Sequence, residues 1–382
     1  MTGVSTLPVP TATPPSTGRI AGLRAIAYRG LAQMYRPADG LFAFRARRAG
    51  AGVRLEGVSR RYTAMVVLGL ADEPEVAVRE ILAGATLDHV CDELVRGVPA
   101  TANLGDAAVT HWALVRAGHG GAAASRRRLL ELLDGGEQFE TVELAWALTA
   151  LSAGDASQAA RRRDEAARRL MGAFVEASSL FPHRIGAGGF RSHVCCYADL
   201  VYPVVALSRY HVAVGDARAL RIAQQCAARM CTLQGPAGQW WWHYDVRTGR
   251  ILERYPVYAV HQDAMGPMAL FALAEAGGAS HAEAVRRGLN WLDASPELDG
   301  GTLIDAPAGM IWRKVARREP RKLVRKLQAV TSAIHPSLRW PLMDVLFPAG
   351  AIDDECRPYH LGWLLYAWPA ARAAQWDWAG VA

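Results

Sequence analysis

A chain of 382 residues with 51% hydrophobic and 21% charged side chains can build a large core, which excludes a disordered or fibrous protein. Its 43 Lys and Arg against 36 Asp and Glu leave a net charge of +7. No uncharged apolar run reaches about eighteen residues, so a membrane-spanning helix is not expected.

In chain order, residues 1–18, MTGVSTLPVPTATPPSTG, are rich in Pro, Ser and Thr and read as a disordered N-terminal tail rather than an export signal. Residues 19–382 read as a single domain. Six apolar, small-residue-rich runs follow, each suited to a buried helix. They begin near Arg60-Arg61-Tyr62, Asn103 to Asp106, Glu140 to Glu143, His193 to Asp199, His261-Gln262-Asp263 and Asp353 to His360. Stretches such as ASRRRLLELLDG, RRRDEAARRLMGAFVEA and HAEAVRRGLNWLDA separate them and carry more charge. Buried helices alternating with amphipathic ones are what a closed double ring requires, so the fold class expected is all-α, an (α/α)6 toroid of helical hairpins. Polar residues at the starts of the inner helices then gather at one mouth of the ring. Asn103 and Asp106 stand where a helix cap belongs.

Six cysteines, Cys91, Cys195, Cys196, Cys226, Cys231 and Cys356, are too sparse for a disulfide scaffold and suggest free thiols in a cytoplasmic protein, with peripheral membrane contact as an option. That option rests on the segment Arg313 to Lys326, where Arg313-Lys314, Arg317-Arg318, Arg321-Lys322 and Arg325-Lys326 repeat every four positions. On a helix they lie along one side, fit to meet an anionic membrane or a phosphate-bearing ligand, with Pro320 as a break. Nothing resembles a base-reading motif, so nucleic acid is not an expected partner.

The segment from Gln234 to Met268 is the richest in chemistry. Trp240, Trp241, Trp242, His243 and Tyr244 precede a turn at Asp245 to Arg250, and Tyr258, His261, Gln262 and Asp263 follow. With Tyr197 and Asp199 from the fourth inner start and Asp354, Arg357, Tyr359 and His360 from the last, they form the candidate site. His261, Asp263, Asp354 and His360 are the catalytic candidates; the remainder bind substrate. Aromatic walls suit either a polyprenyl chain or a sugar face.

Gln234, Gly238 and Trp240 match the Q-x3-G-x-W pattern of triterpene cyclases, and the helix pairing is similar to that of the terpenoid cyclase and protein prenyltransferase superfamily. The resemblance implies an isoprenoid or lipid-linked substrate in an aromatic-lined cavity. The D-x-D-D acid of class II cyclases is missing, Asp353-Asp354-Glu355 being the nearest cluster. Asp354, Cys356 and the His360 that follows Tyr359 look like the prenyltransferase zinc ligands compressed into one segment, which implies a possible zinc cofactor.

The alternative is carbohydrate chemistry of bacterial polysaccharide metabolism. A glycoside hydrolase needs two carboxylates about 5 to 10 Å apart, for which Asp263 with Asp354, or Asp199 with Asp263, are candidates. A lyase or epimerase needs a His or Tyr proton shuttle and an Arg facing a uronate, roles open to His261, His360, Tyr258, Arg254 and Arg357. A non-catalytic binding scaffold is a third possibility. No Gly-rich phosphate loop, serine-nucleophile elbow or HExxH segment is present.

Overall fold

The computed structural model describes residues 18–50, 52–136, 138–154, 159–186, 188, 192–319, 323–335, 338, 340 and 342–379. The expected tail lies outside them apart from Gly18. Among the described residues the helices are α1 (Arg19–Met34), α2 (Arg60–Leu70), α3 (Glu75–Ile81), α4 (Leu87–Gly97), α5 (Leu104–Arg116), α6 (Ala122–Asp134), α7 (Thr141–Ser152) and α8 (Ala160–Gly172). They continue with α9 (Ala198–Val214), α10 (Ala217–Thr232), α11 (Gly266–Glu275), α12 (Ala282–Asp293), α13 (Leu323–Ile334), α14 (Met343–Leu346), α15 (Pro358–Ala367) and α16 (Ala370–Ala379).

Helices α2, α5, α7, α9, α11 and α15 pack each against the next, and α15 closes on α2, so the fold is an (α/α)6 toroid. The inner helices are apolar on every side because every side is covered: α7 is buried without interruption from Leu144 to Leu151 and α9 from Asp199 to Ser208. Outer helices α4, α6, α8, α10 and α12 lie against their backs, and α1 packs on α15 and α16. The outer ones bury one stripe only, as α10 does with Ala219, Ile222, Ala223, Cys226, Ala227 and Met230.

Local signals place the helix starts. Ser59 accepts the Tyr62 N–H at the start of α2, Asn103 accepts the Asp106 N–H at the start of α5, and Asp216 caps α10. The closing crossing depends on glycine. A Cβ on Gly69 of α2 would stand 2.2 Å from the carbonyl oxygen of Gly362 in α15, so only two glycines let these backbones meet.

Short strands furnish the mouth at the inner-helix starts. Leu41–Ala49 pairs with Gly52–Val58 on one side and Glu355–Cys356 on the other. Val194–Cys196, His243–Asp245 and Arg250–Glu253 form a second sheet, whose turn passes through Gly249 at φ 67°.

The third sheet replaces the one-sided helix expected over Arg313 to Lys326. Lys314–Arg317 is its central strand, between Val257–Tyr258 and Ala349–Asp353, and α13 begins only at Leu323; residues 320–322 lie outside the described chain. Carboxylates explain the difference. Arg317, almost wholly buried, pairs with Glu253 at 2.9 Å and Asp344 at 2.8 Å, and Lys314 pairs with Asp353 at 2.8 Å, partners that a solvated helix would not have reached.

The Q-x3-G-x-W segment is a local clasp. Gln234 Nε2 donates to the carbonyls of Gly238 and Ala284, at 2.9 and 2.8 Å, and so ties the end of α10 to α12.

Candidate active site

The first turns of the inner helices supply the floor of a cavity of about 250 Å³. Side chains enter it in pairs one helical turn apart: Arg61 and Met65 from α2, Val142 and Trp146 from α7, Ala198 and Tyr202 from α9. His261 and Met265 make a fourth pair, from a single π-helical turn, His261–Met265, that leads into α11. Arg313, Tyr258 and Trp242 come from the strands and loops above, Arg357 and Tyr359 from the start of α15, and Tyr62 from α2.

The lining holds three arginines, six aromatic rings and one imidazole, and no carboxylate. Trp242 stacks on His261 with ring centroids 5.7 Å apart and an interplanar angle of 14°. Tyr258 contacts both, and the Arg313 guanidinium lies 5.3 Å from the Tyr258 centroid. Arg313 and Arg357 share one buried carboxylate, Glu355, which also receives Arg45 and Arg47. Burial alone would raise the Glu355 carboxyl, but Arg357 and Arg313 outweigh it and hold it below the usual carboxylate range. Glu56 also meets Arg45 and Arg47, and Asp353 meets Arg313 and Lys314, so these five cations face three carboxylates and positive charge stays in excess beside the cavity. On the opposite wall Arg61 is held by Asp106 and, at 2.7 Å, by Asn103, whose amide donates to Glu143 at 2.5 Å.

Among the lining residues, four polar atoms are fully buried and have no partner in the described protein: Trp146 Nε1, Trp242 Nε1, Arg313 Nε and His261 Nδ1. Burial pushes the His261 imidazole down to about 3, so the ring is neutral across the physiological range. Burial pushes the Tyr258 and Tyr359 phenols up, so both keep their protons. The pocket therefore offers donors, cations and ring faces, a combination suited to an oxygen-rich anion with a flat apolar face.

Six carboxylates are buried among the described residues: Glu73, Asp199, Asp245, Glu253, Asp263 and Glu355. Four pair with arginine, Glu73 with Arg24, Asp245 with Arg247, Glu253 with Arg317, and Glu355 as above. The other two face histidine. His360 Nε2 lies 2.8 and 2.9 Å from the Asp263 oxygens, both residues being fully enclosed behind the cavity floor. His183 Nδ1 lies 3.1 Å from Asp199, and the hydrogen bond raises the imidazole's affinity for its proton.

Of the residues expected at the site, Trp242, Tyr258, His261, Arg357 and Tyr359 line the cavity. Tyr197 stacks against His261 with centroids 4.4 Å apart and against Trp240 at 5.5 Å, one layer behind. Gln262 bridges the Trp240 N–H and the Tyr258 carbonyl. Trp241, with Tyr255 and Arg254 against it, and Tyr244, whose hydroxyl donates to the Trp241 carbonyl at 3.0 Å, are buried in the surrounding packing. His243 is a strand residue paired with Cys196.

Asp354 is brought to none of them; it is half exposed and faces Arg48 at 3.5 Å. The zinc trio accordingly does not assemble: Cys356 is a buried thiol pushed up to about 12 by burial, and His360 is turned to Asp263. The one group of three or more metal-type donors within 4.8 Å of one another, among the described residues, is His183, Cys196 and Asp199.

Arg61, Tyr62, Trp146, Tyr202 and Arg313 were not expected as lining residues. The spacing of four from each inner-helix start was the signal for Trp146 and Tyr202. A larger cavity, about 420 Å³, opens at the other mouth, at the ends of the inner helices. Its Arg116, Arg209 and Arg372 are matched by Asp72 and Glu275, and no expected site residue reaches it.

No family model matches the sequence, and no curated protein sequence matches it. Solved structures do. An unsaturated glucuronyl hydrolase specific for heparin superposes with a TM-score of 0.60 at 13% identity, over 93% of this chain and 96% of its own. The unsaturated glucuronyl hydrolase of Bacillus sp. GL1, responsible for the degradation of glycosaminoglycan, gives 0.58 at 13%, over 92% and 96%. A sugar epimerase from a ruminal bacterium gives 0.56 at 9%, over 91% and 98%. At these identities the likeness is one of fold, the α/α toroid. It corrects the resemblance to terpenoid cyclases and prenyltransferases and the isoprenoid function drawn from it. The physical reason is in the cavity, where a hydrocarbon chain would take three guanidinium groups out of water and leave the Trp146 and Trp242 N–H groups without partners.

Proposed function

We propose that the protein is a carbohydrate-active enzyme whose cavity takes the carboxylated ring of a uronate-containing glycan and moves the proton on the carbon beside that carboxylate. This step is common to lyase and epimerase chemistry. The observation that carries the proposal is the lining itself: Arg61, Arg313 and Arg357 with six aromatic rings and His261, and no carboxylate. The glucuronyl and epimerase descriptions of the structural neighbours support the class.

An arginine paired with the substrate carboxylate withdraws charge and makes the adjacent C–H more acidic. The neutral His261 imidazole of the lining takes the proton, and the carboxylate oxygens hold the resulting negative charge beside the Arg313 guanidinium. A phenol, Tyr258 or Tyr359, returns a proton to the other face for epimerisation; for elimination it instead protonates the neighbouring glycosidic oxygen as that C–O bond breaks and a C=C bond forms. Trp242 and Tyr258 carry the flat side of the ring. Asp263 acts through His360 as a positioning pair under the π-helical turn, and Asp354 takes no part. The proposal treats residues 19–382 as one catalytic unit.

A second reading, hydrolysis, is favoured by one observation: Asn103 and Arg61 link the carboxylates Asp106 and Glu143 at the cavity edge. Incubation with glucuronate- and galacturonate-bearing oligosaccharides in heavy water separates the two. Deuterium at the carbon beside the carboxylate, or a new reducing end accompanied by a C=C bond next to the carboxylate, supports proton transfer; new reducing ends with saturated products and no deuterium support hydrolysis. Neither signal with any uronate removes both.

A further inference from the structure

Residues 313–347 hold nine Lys and Arg against two Asp and Glu; Arg313, Lys314 and Arg317 are matched by Glu355, Asp353 and Glu253, while Arg318 and Lys326 stand exposed among the described residues. The same stretch gathers most of the large apolar side chains that face solvent among the described residues: Val330, Ile334, Leu338 and Trp340, then Leu342, Val345 and Leu346. Exposure is deep, 71% for Ile334, 69% for Leu342 and 77% for Val345.

Helix α13 is two-faced. Val324, Ala329, Thr331 and Ser332 are buried, whereas Lys326, Val330 and Ile334, four residues apart, form an outward stripe. Trp340 returns to α13 through its indole N–H, which donates to Thr331 Oγ1 at 3.2 Å, and Arg317 holds Asp344 of α14. The helix is fixed to the catalytic mouth. Gln328 donates to Glu253, the Ser332 hydroxyl lies 3.0 Å from His193, and the charge of Arg325 reaches Tyr258 of the cavity wall.

From this juxtaposition we infer that the α13–α14 cap is a docking surface for an anionic lipid bilayer, which sets the cavity mouth toward glycan held at that surface. Exposed apolar side chains flanked by lysine and arginine are what an interfacial segment needs: the apolar groups enter the headgroup boundary while the cations meet lipid phosphates. A second copy of this chain is disfavoured as occupant, because two like surfaces with this excess of positive charge repel.

The test is flotation of the full chain with vesicles of neutral phosphatidylcholine, with and without about a third phosphatidylglycerol. Binding to the anionic vesicles alone, weakened by salt, is the expected result. The variant Ile334→Asp/Val345→Asp and, separately, Arg318→Glu/Lys326→Glu each lower the partition constant about tenfold or more, with unchanged melting temperature and unchanged turnover of a soluble glycan fragment. Absence of flotation, equal flotation with neutral vesicles, or a dimer in solution that Val345→Asp dissociates would each overturn the proposal. The result is independent of whether the cavity works by proton transfer.

Discussion

At the scale of single residues, Arg313 shows how a cavity-lining side chain can hide in a sequence. Its neighbours spell a basic helix, and its chemistry becomes visible only when strand pairing sets Lys314 opposite Tyr258 and turns Arg313 over that ring. Replacement by glutamine removes one charge-assisted contact to a bound carboxylate, and kcat/KM on a uronate substrate should fall about 10- to 100-fold. Stability should change little, because Glu355 keeps Arg357, Arg45 and Arg47. Kinetics beside a thermal melt check both halves; a large fall in melting temperature with intact turnover would make Arg313 structural. His261, Tyr258, Trp242, Arg357 and Tyr359 were legible beforehand because polar and ring-bearing residues at an inner-helix start have one place to go. Asp354 looked equivalent in sequence and differs because it stands between two strands, half exposed beside Arg48.

At the scale of elements, the toroid depends on how closely its first and last inner helices approach. Gly69→Ala would place a Cβ 2.2 Å from the Gly362 carbonyl oxygen, and neither backbone can yield without moving a helix. The variant should lose about 1 to 3 kcal/mol, an overpacking cost, seen as a lower denaturant midpoint. Gly57→Ala is no substitute for a control because its φ is positive; Gly172→Ala, with no atom within 4 Å, is the matched one and should be close to neutral. Helix pairing was readable from periodicity, whereas the three-stranded sheet around Lys314–Arg317 was not. A four-residue strand held by distant carboxylates has no periodic signature of its own.

At the scale of the molecule, buried titratable groups set the pH response. Burial lowers His261 from the ordinary 6.5 to about 3 and His111 to about 4. The unfolded chain therefore binds more protons than the folded one below pH 6.5. The stability these neutral rings contribute is present above that pH and is lost as the pH falls toward 4, by about 1.4 kcal/mol per pH unit for each ring. Glu253, raised by burial, works in the opposite sense. Thermal melts between pH 7 and 4 should show the loss, and His111→Gln, at the imidazole that shares a hydrogen bond with Ser125, should reduce its slope. An unchanged slope would mean that His111 is protonated in the fold.

The sequence by itself determined the double ring of helices and the gathering of polar and aromatic side chains at the starts of the inner helices. Both follow from local periodicity, capping and composition. Tertiary structure decided which charges face each other: that Asp263 meets His360, that Glu355 gathers four arginines, and that Arg313 and Arg357 flank a cavity too cationic for a hydrocarbon. Except for Glu355 with Arg357, two positions apart, those pairings join residues tens to hundreds of positions apart, and electrostatic energy depends on their separation in space, which no local pattern encodes.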